Sequence, residues 1–191
     1  MQVEFAPQYL RCPVCRADRT LRLHARESDA REVRDGTLRC AACGAELALH
    51  RGVGHLLRDP PGHVEREAAG LERFADHMRA DGWDRERVRR LPDIEDGYWY
   101  VQGVSIDQLM TTVAFAPGQS LLDVGSNTCW ASNYFARRGL RVIALDIATA
   151  ELQGLYTSDF FIADGTSYFE RVLGSMYDMP IASDSLDYVY C

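Results

Sequence analysis

The chain contains no lysine. All 21 of its basic side chains are arginines, set against 28 acids, for a net charge of −7. The missing lysine is a compositional bias and points to no activity. The shortage of positive charge bears on partners, because a nucleic-acid binder draws much of its affinity from a basic stripe that neutralises phosphates. The densest cluster, Arg85, Arg87, Arg89 and Arg90, alternates with Asp84 and Glu86, as on a solvated helix face. Charge therefore gives no argument for an RNA partner, though it leaves one open. Long apolar runs are also missing, and none approaches the roughly 18 residues that span a bilayer. The start, Met-Gln-Val-Glu-Phe, lacks the basic and apolar segments of a secretory signal. A cytoplasmic chain without a membrane partner is expected. There is no internal repeat and no low-complexity tract. The 47% apolar and 26% charged residues are ordinary for a globular protein, and 191 residues hold one domain plus a small accessory module.

Six cysteines are present, four of them in two pairs: Cys12-Pro-Val-Cys15 and Cys40-Ala-Ala-Cys43. Disulfide frameworks belong to secreted chains, so metal binding is the better reading. Each C-x-x-C aims two thiolates from a tight turn at one ion, and zinc takes four such ligands tetrahedrally. The 24 residues between the pairs include the alternating stretches Thr20–His24 and Gly36–Cys40, which return the chain and bring the turns together. A zinc ribbon is expected, with Cys12, Cys15, Cys40 and Cys43 as ligands. A redox pair would explain one C-x-x-C but not two. The five histidines have no ligand spacing and are read as structural or exposed.

The composition changes at Asp59-Pro-Pro-Gly62. Beyond it Val64, Ala68, Leu71, Phe74, Ala75 and Met78 recur at helical spacing, predicting an amphipathic helix that ends near Gly82. A short helix over 84–91 should follow. The trio Tyr98-Trp99-Tyr100 is expected to pack between this helical segment and the next domain. Ser105-Ile-Asp-Gln108 fits a capping box that would open a helix running to about Phe115. The expected division is a ribbon over 1–58, a helical connector over 59–104 and an α/β domain over 105–191.

That last part begins with a buried-type strand, Ser120–Val124, a turn from Gly125, a helix through Tyr134 and Phe135, and a second apolar strand ending at Asp146. This is a βαβ unit of the dinucleotide-binding kind, with parallel strands joined by a right-handed crossover. Gly125 lets the backbone come close to a ligand. Asp146, 21 residues later, stands at the neighbouring strand end, where a carboxylate can accept ribose hydroxyls.

These residues resemble the class I S-adenosylmethionine (SAM)-dependent methyltransferases. Leu121–Gly125 and Ala144–Asp146 look like the first two motifs, Leu173–Ile181 like the third-strand segment whose turn brackets adenine, and Ala182–Tyr190 like the approach to the fourth strand. The resemblance implies a Rossmann-like sheet and SAM as cofactor. It implies a binding set of Asp123, Gly125, Ser126, Asn127, Asp146, Ile147, Ser175 and Met176, in which Asp123 and Gly125 meet the methionine part, Asp146 the ribose, and Ser175 and Met176 the adenine. No catalytic base is nominated. The chain departs from the family's G-x-G-x-G turn, with Asn127 and Cys129 at the later glycine positions. Asn tolerates a left-handed backbone, and Cys129 is read as packing. Trp130 either shields the cofactor or fills core.

The ribbon is similar to small zinc-ribbon proteins that activate tRNA and protein methyltransferases, and to ribbons fused before the guanine-N1 methyltransferases of large-subunit ribosomal RNA. It is expected to dock a partner or present a substrate around a structural zinc. The chain stops near the fourth of the family's seven strands, so it is expected to be a fragment that alone methylates little. The acceptor stays open between a small molecule, RNA and a protein. Two other readings are a non-catalytic zinc-binding interaction protein with a degenerate Rossmann unit and a nicotinamide dehydrogenase.

Overall fold

In the computed structural model, which describes residues 1–163, 165 and 167–191, the strands join into one sheet. Two antiparallel hairpins come first: β1 (Leu21–Ser28) with β2 (Val33–Cys40), then β3 (Glu46–His50) with β4 (Val53–His55). The parallel strands are β5 (Ser120–Val124), β6 (Arg141–Asp146), β7 (Glu170–Leu173) and β8 (Tyr188–Tyr190). Their order is β1-β2-β3-β4-β7-β6-β5-β8, so the ribbon's last strand is hydrogen-bonded to β7, with Gly54 opposite Val172. Segments on both sides of residue 58 thus contribute strands to one sheet. The α/β architecture and the βαβ unit agree with the sequence reading.

The central parallel strands β5 and β6 are mostly apolar because both of their faces are covered. Leu121, Val142 and Ala144 belong to the core on the helical side, whereas Leu122, Ile143, Leu145 and Val172 belong to the opposite core. The two-residue period of a strand produces this division. On the helical side lie α2 (Gly62–Ala80), α3 (Arg85–Arg89), α4 (Gly97–Thr112), α5 (Trp130–Ala136) and α6 (Asp159–Ile162). The other face is closed by α1 (Phe5–Tyr9), ribbon residues Leu38 and Leu49, and Ile181. No helix among the described residues is long and apolar enough to cross a membrane.

Helices α2 and α3 form where the spacing places them, and Asp84 caps α3 by accepting from the Arg87 backbone N–H at 2.9 Å. The capping box at Ser105 is corrected. Helix α4 starts at Gly97, and its N-cap is Asp96, which accepts from Tyr98 N–H at 2.9 Å. Ser105 lies mid-helix and donates to the Val101 carbonyl one turn back at 2.8 Å. Asp96 is as good a cap as serine, and the apolar run after it let the helix begin earlier.

Side-chain ion pairs also cross the ribbon boundary. Glu32, just before β2, is fully buried against the guanidinium of Arg171 on β7 and the Met1 ammonium. Burial raises its carboxyl, but Arg171 and the ammonium outweigh this and hold it below the usual range. Arg34 and Arg51 both reach Asp159, at 3.0 and 2.7 Å. Removing one partner of a buried pair strands a charge, so Arg171→Leu should cost about 3–5 kcal/mol in denaturant unfolding. Asp96→Ala should cost about 1 kcal/mol, and Ser105→Ala less than about 0.5 kcal/mol.

Candidate functional site: two joined clefts and a four-sulfur cluster

The chain turns sharply after β5. Gly125, Asn127 and Cys129 all take positive φ, at 73°, 44° and 55°. These are the three positions that the family's motif gives to glycine, so the left-handed bends survive without two of the glycines. Asn127 donates its backbone N–H to Asp146 Oδ2 at 2.8 Å and its side-chain amide to Gln153 Oε1 at 2.9 Å. Cys129 is fully buried and starts α5, and burial pushes its thiol well above the ordinary range. That is packing, not a nucleophile. A Cβ on Gly125 would meet no protein atom within 4 Å. The space in front of it is open.

That space is one of two adjoining clefts at the carboxyl ends of the strands, the usual ligand position in an open α/β sheet. The smaller is lined by Asp146, Ile147, Ser175 and Met176. The larger, with a volume of about 680 Å³, is lined by Asp123, Ser126 and Trp130. Val124, Gly125 and Asn127 line both. All eight residues expected to contact cofactor therefore line one or other of two clefts that share Val124, Gly125 and Asn127. Asp146 ends β6, and its other oxygen accepts from Ala148 N–H at 2.9 Å. Burial raises its carboxyl above the usual value, and lone pairs remain on both oxygens for further donors. Asp123 is 2% exposed and accepts from Ser132 Oγ at 2.5 Å. Ser175 Oγ accepts from Tyr177 N–H at 3.2 Å. Met176 is 61% exposed, so it belongs to the rim.

Sequence reasoning missed the cleft's outer wall. Val64, Glu67 and Leu71 of α2 line the smaller cleft, and Phe74 and Met78 the larger. The apolar stripe was legible as the face of an amphipathic helix but no cleft was assigned to it, and Phe74 is 53% exposed. Trp99 of the aromatic trio packs edge-on to Trp130 at 5.9 Å and beside Trp83 at 6.0 Å, while Tyr98 and Tyr100 stay exposed. Trp130 is buried and also lines the larger cleft.

The four paired cysteines bring all their sulfurs within 4.8 Å of one another. Cys12 and Cys43 sulfurs lie 3.8 Å apart, and those of Cys15 and Cys40 lie 3.7 Å apart. Four thiolates around one zinc at 2.3 Å would be separated by about 3.8 Å, so the donor set fits that ion. The two turns are built alike. Arg16 N–H bonds the Cys12 carbonyl and Gly44 N–H the Cys40 carbonyl, each at 2.9 Å. Arg16 and Gly44 both have positive φ. Burial raises the Cys12 thiol to about 12. Burial also raises Cys40, but the Thr20 hydroxyl and the N–H groups of Cys43 and Ala42 bring it down to about 6. No histidine takes part.

The first cysteine turn also grips the segment that follows the smaller cleft. Arg11 N–H donates to the Pro180 carbonyl at 3.0 Å, and Ala182 N–H to the Tyr9 carbonyl at 2.8 Å. Arg16 pairs with Asp178 at 3.1 Å, and Asp18 accepts from Ser183 N–H at 3.1 Å. Metal analysis should find about one zinc per chain. Chelation should accelerate amide exchange at Arg11 and Ala182 before it affects β5 and β6. Unchanged exchange at those two amides would show that the metal does not hold this clamp.

Residues 122–191 match the family model described as a methyltransferase domain. No curated protein matches the chain. The β7-β6-β5-β8 order and the turn at Gly125 agree with this match, which makes residues 122–191 similar to a methyltransferase domain, joined here to an N-terminal four-cysteine module.

Proposed function

We propose that the chain binds SAM along the joined clefts and serves methyl transfer to an acceptor in the larger one. The observation that carries this reading is the bond from Asn127 N–H to Asp146 Oδ2, which fixes the carboxylate beside the bend at Gly125. In that place Asp146 accepts ribose hydroxyls. Ile147, Ser175 and Met176 flank the adenine in the smaller cleft, against Val64 and Leu71 of α2. Gly125, Ser126 and Asn127 leave backbone room for the methionine part, with Asp123 beneath. When bound, SAM supplies a methyl group on a sulfonium, whose carbon–sulfur pair stays with sulfur as the acceptor's lone pair takes the methyl and its proton passes to solvent. The protein's share is to hold donor and acceptor in line. The left-handed backbone at Asn127 and Cys129 speaks against a degenerate, non-catalytic unit, because the bend is kept despite the lost glycines.

Zinc has a structural part in this reading. Four thiolates leave no coordination position for water. The ribbon's contacts described above go to the domain itself, through β7 and residues 178–184, which supports a bracing role over the docking role that resemblance suggests. The six free cysteines suit a reducing, cytoplasmic setting.

Calorimetric titration should show SAM binding and no comparable heat with NAD. Gly125→Ala should lower SAM affinity more than stability, since its φ of 73° strains alanine by about 1–2 kcal/mol and the new methyl enters the cleft. The pH dependence is set by Asp123, whose carboxyl burial raises to about 6, even with the Ser132 hydroxyl donating to it. A raised carboxyl stabilises the fold fully while protonated, below its ordinary value of 3.8, and this contribution is lost as pH rises through 6. The cationic sulfonium favours the opposite, ionised form. SAM affinity should therefore rise from about pH 5 to 7, and Asp123→Asn should flatten that rise. An affinity independent of pH in the unaltered chain would remove Asp123 from the site.

A further inference from the structure

The larger cleft has a volume of about 680 Å³, and much of its wall is aromatic. Trp83, Trp99 and Trp130 are all the tryptophans of the chain, and all three line it. Phe74, Tyr98 and Tyr190 complete the wall. The rings are coupled edge to face, with Tyr98 and Trp99 centroids 5.2 Å apart and Trp99 and Trp130 5.9 Å apart. Core packing accounts for Trp130 but not for Phe74 and Tyr98, which are 53% and 64% exposed beside the cleft mouth. Large exposed rings on one cavity are a surface for a flat apolar ligand.

The charges lining the same cleft have one sign. Asp81 and Asp123 line it, and no arginine or histidine does. Arg87 is stacked on the Trp83 ring at 4.3 Å, which shows that this ring system accepts a cation. A phosphate or carboxylate entering here would meet the carboxylates of Asp81 and Asp123 among the lining residues, while Arg87 is held behind the wall on the ring of Trp83. A planar ring that is neutral or positively charged would stack, and Gln102 offers it an amide. Nucleic acid would bring phosphates to this mouth on a chain of net charge −7.

We propose that the methyl acceptor is a planar aromatic small molecule without negative charge, held against the Trp83, Trp99 and Tyr98 wall. This rests on the methyltransferase reading of the joined clefts. Continuity supports it, because Gly125 and Asn127 line both the aromatic cleft and the smaller cleft ending at Asp146.

The test uses the full 191-residue chain and its tryptophan fluorescence, which reports only on this cleft. Quinoline, N-methylquinolinium, naphthalene-2-sulfonate and a short single-stranded RNA are titrated separately, and SAM is titrated by calorimetry. Quinoline and N-methylquinolinium should quench saturably and bind at least about tenfold tighter than the sulfonate. Tyr98→Ala and Phe74→Ala, both at exposed positions, should each weaken these two probes by roughly fivefold and weaken SAM by a clearly smaller factor. Equal or tighter binding of the sulfonate or the RNA overturns the proposal while the cofactor reading stands, as does SAM binding with no response to any ring. Failure of SAM to bind overturns the underlying reading, and the acceptor assignment falls with it.

Discussion

The parallel pairing of β4 with β7 is the constraint on which the other features rest. A four-cysteine ribbon is too small to bury enough surface by itself, and a four-strand parallel sheet leaves the edge of β7 unpaired. Joining the two answers both needs. Leu56 N–H donates to the Leu173 carbonyl at 2.9 Å and continues the ladder past β4. The ion pairs of Glu32, Arg34 and Arg51 with Arg171 and Asp159 then cross the same seam. The ribbon is a structural margin of the sheet rather than an appendage on a linker.

This arrangement ties the four-cysteine cluster to the cleft. The turn that carries Cys12 and Cys15 bonds residues 178–184 on both of its sides, and those residues follow directly on Ser175 and Met176. The first cysteine turn is thereby hydrogen-bonded to the segment that continues one cleft wall. The opposite wall comes from α2, whose Val64 and Ala75 are buried while Phe74 faces out. One helix serves core and cleft with adjacent parts of a single stripe.

Much of this was legible in the sequence, for physical reasons that differ by element. The cysteine turns, β5, β6 and the turn at Gly125 are local, and each residue type is dictated by backbone geometry or ligand chemistry. Helix α2 was legible as an amphipathic element, but periodicity states only that one face is apolar, and it cannot say whether core or cleft covers it. The start of α4 was misread because Ser105 carries a Gln three residues on and so completes the capping-box pattern, whereas Asp96 caps the helix without that partner, and nothing local to Ser105 shows that the helix is already under way. The union of ribbon and domain sheet was not legible. It depends on Val53–His55 meeting Glu170–Leu173, a pairing of two short strands far apart in sequence, and neither strand carries a sign of its neighbour.

The two outer margins of the finished sheet differ in character. Strand β1 is mostly exposed, carries Arg22, His24, Arg26 and Glu27, and has register shifts between Ala25 and Ser28. Charge and irregularity guard an edge against stray pairing. At the far side stands the short run Tyr188-Val189-Tyr190, uncharged, paired only with β5 among the described residues, with Val189 62% exposed. The two flanks of the sheet thus differ in kind: β1 carries charge and an irregular register, whereas β8 is short, uncharged and hydrogen-bonded to β5.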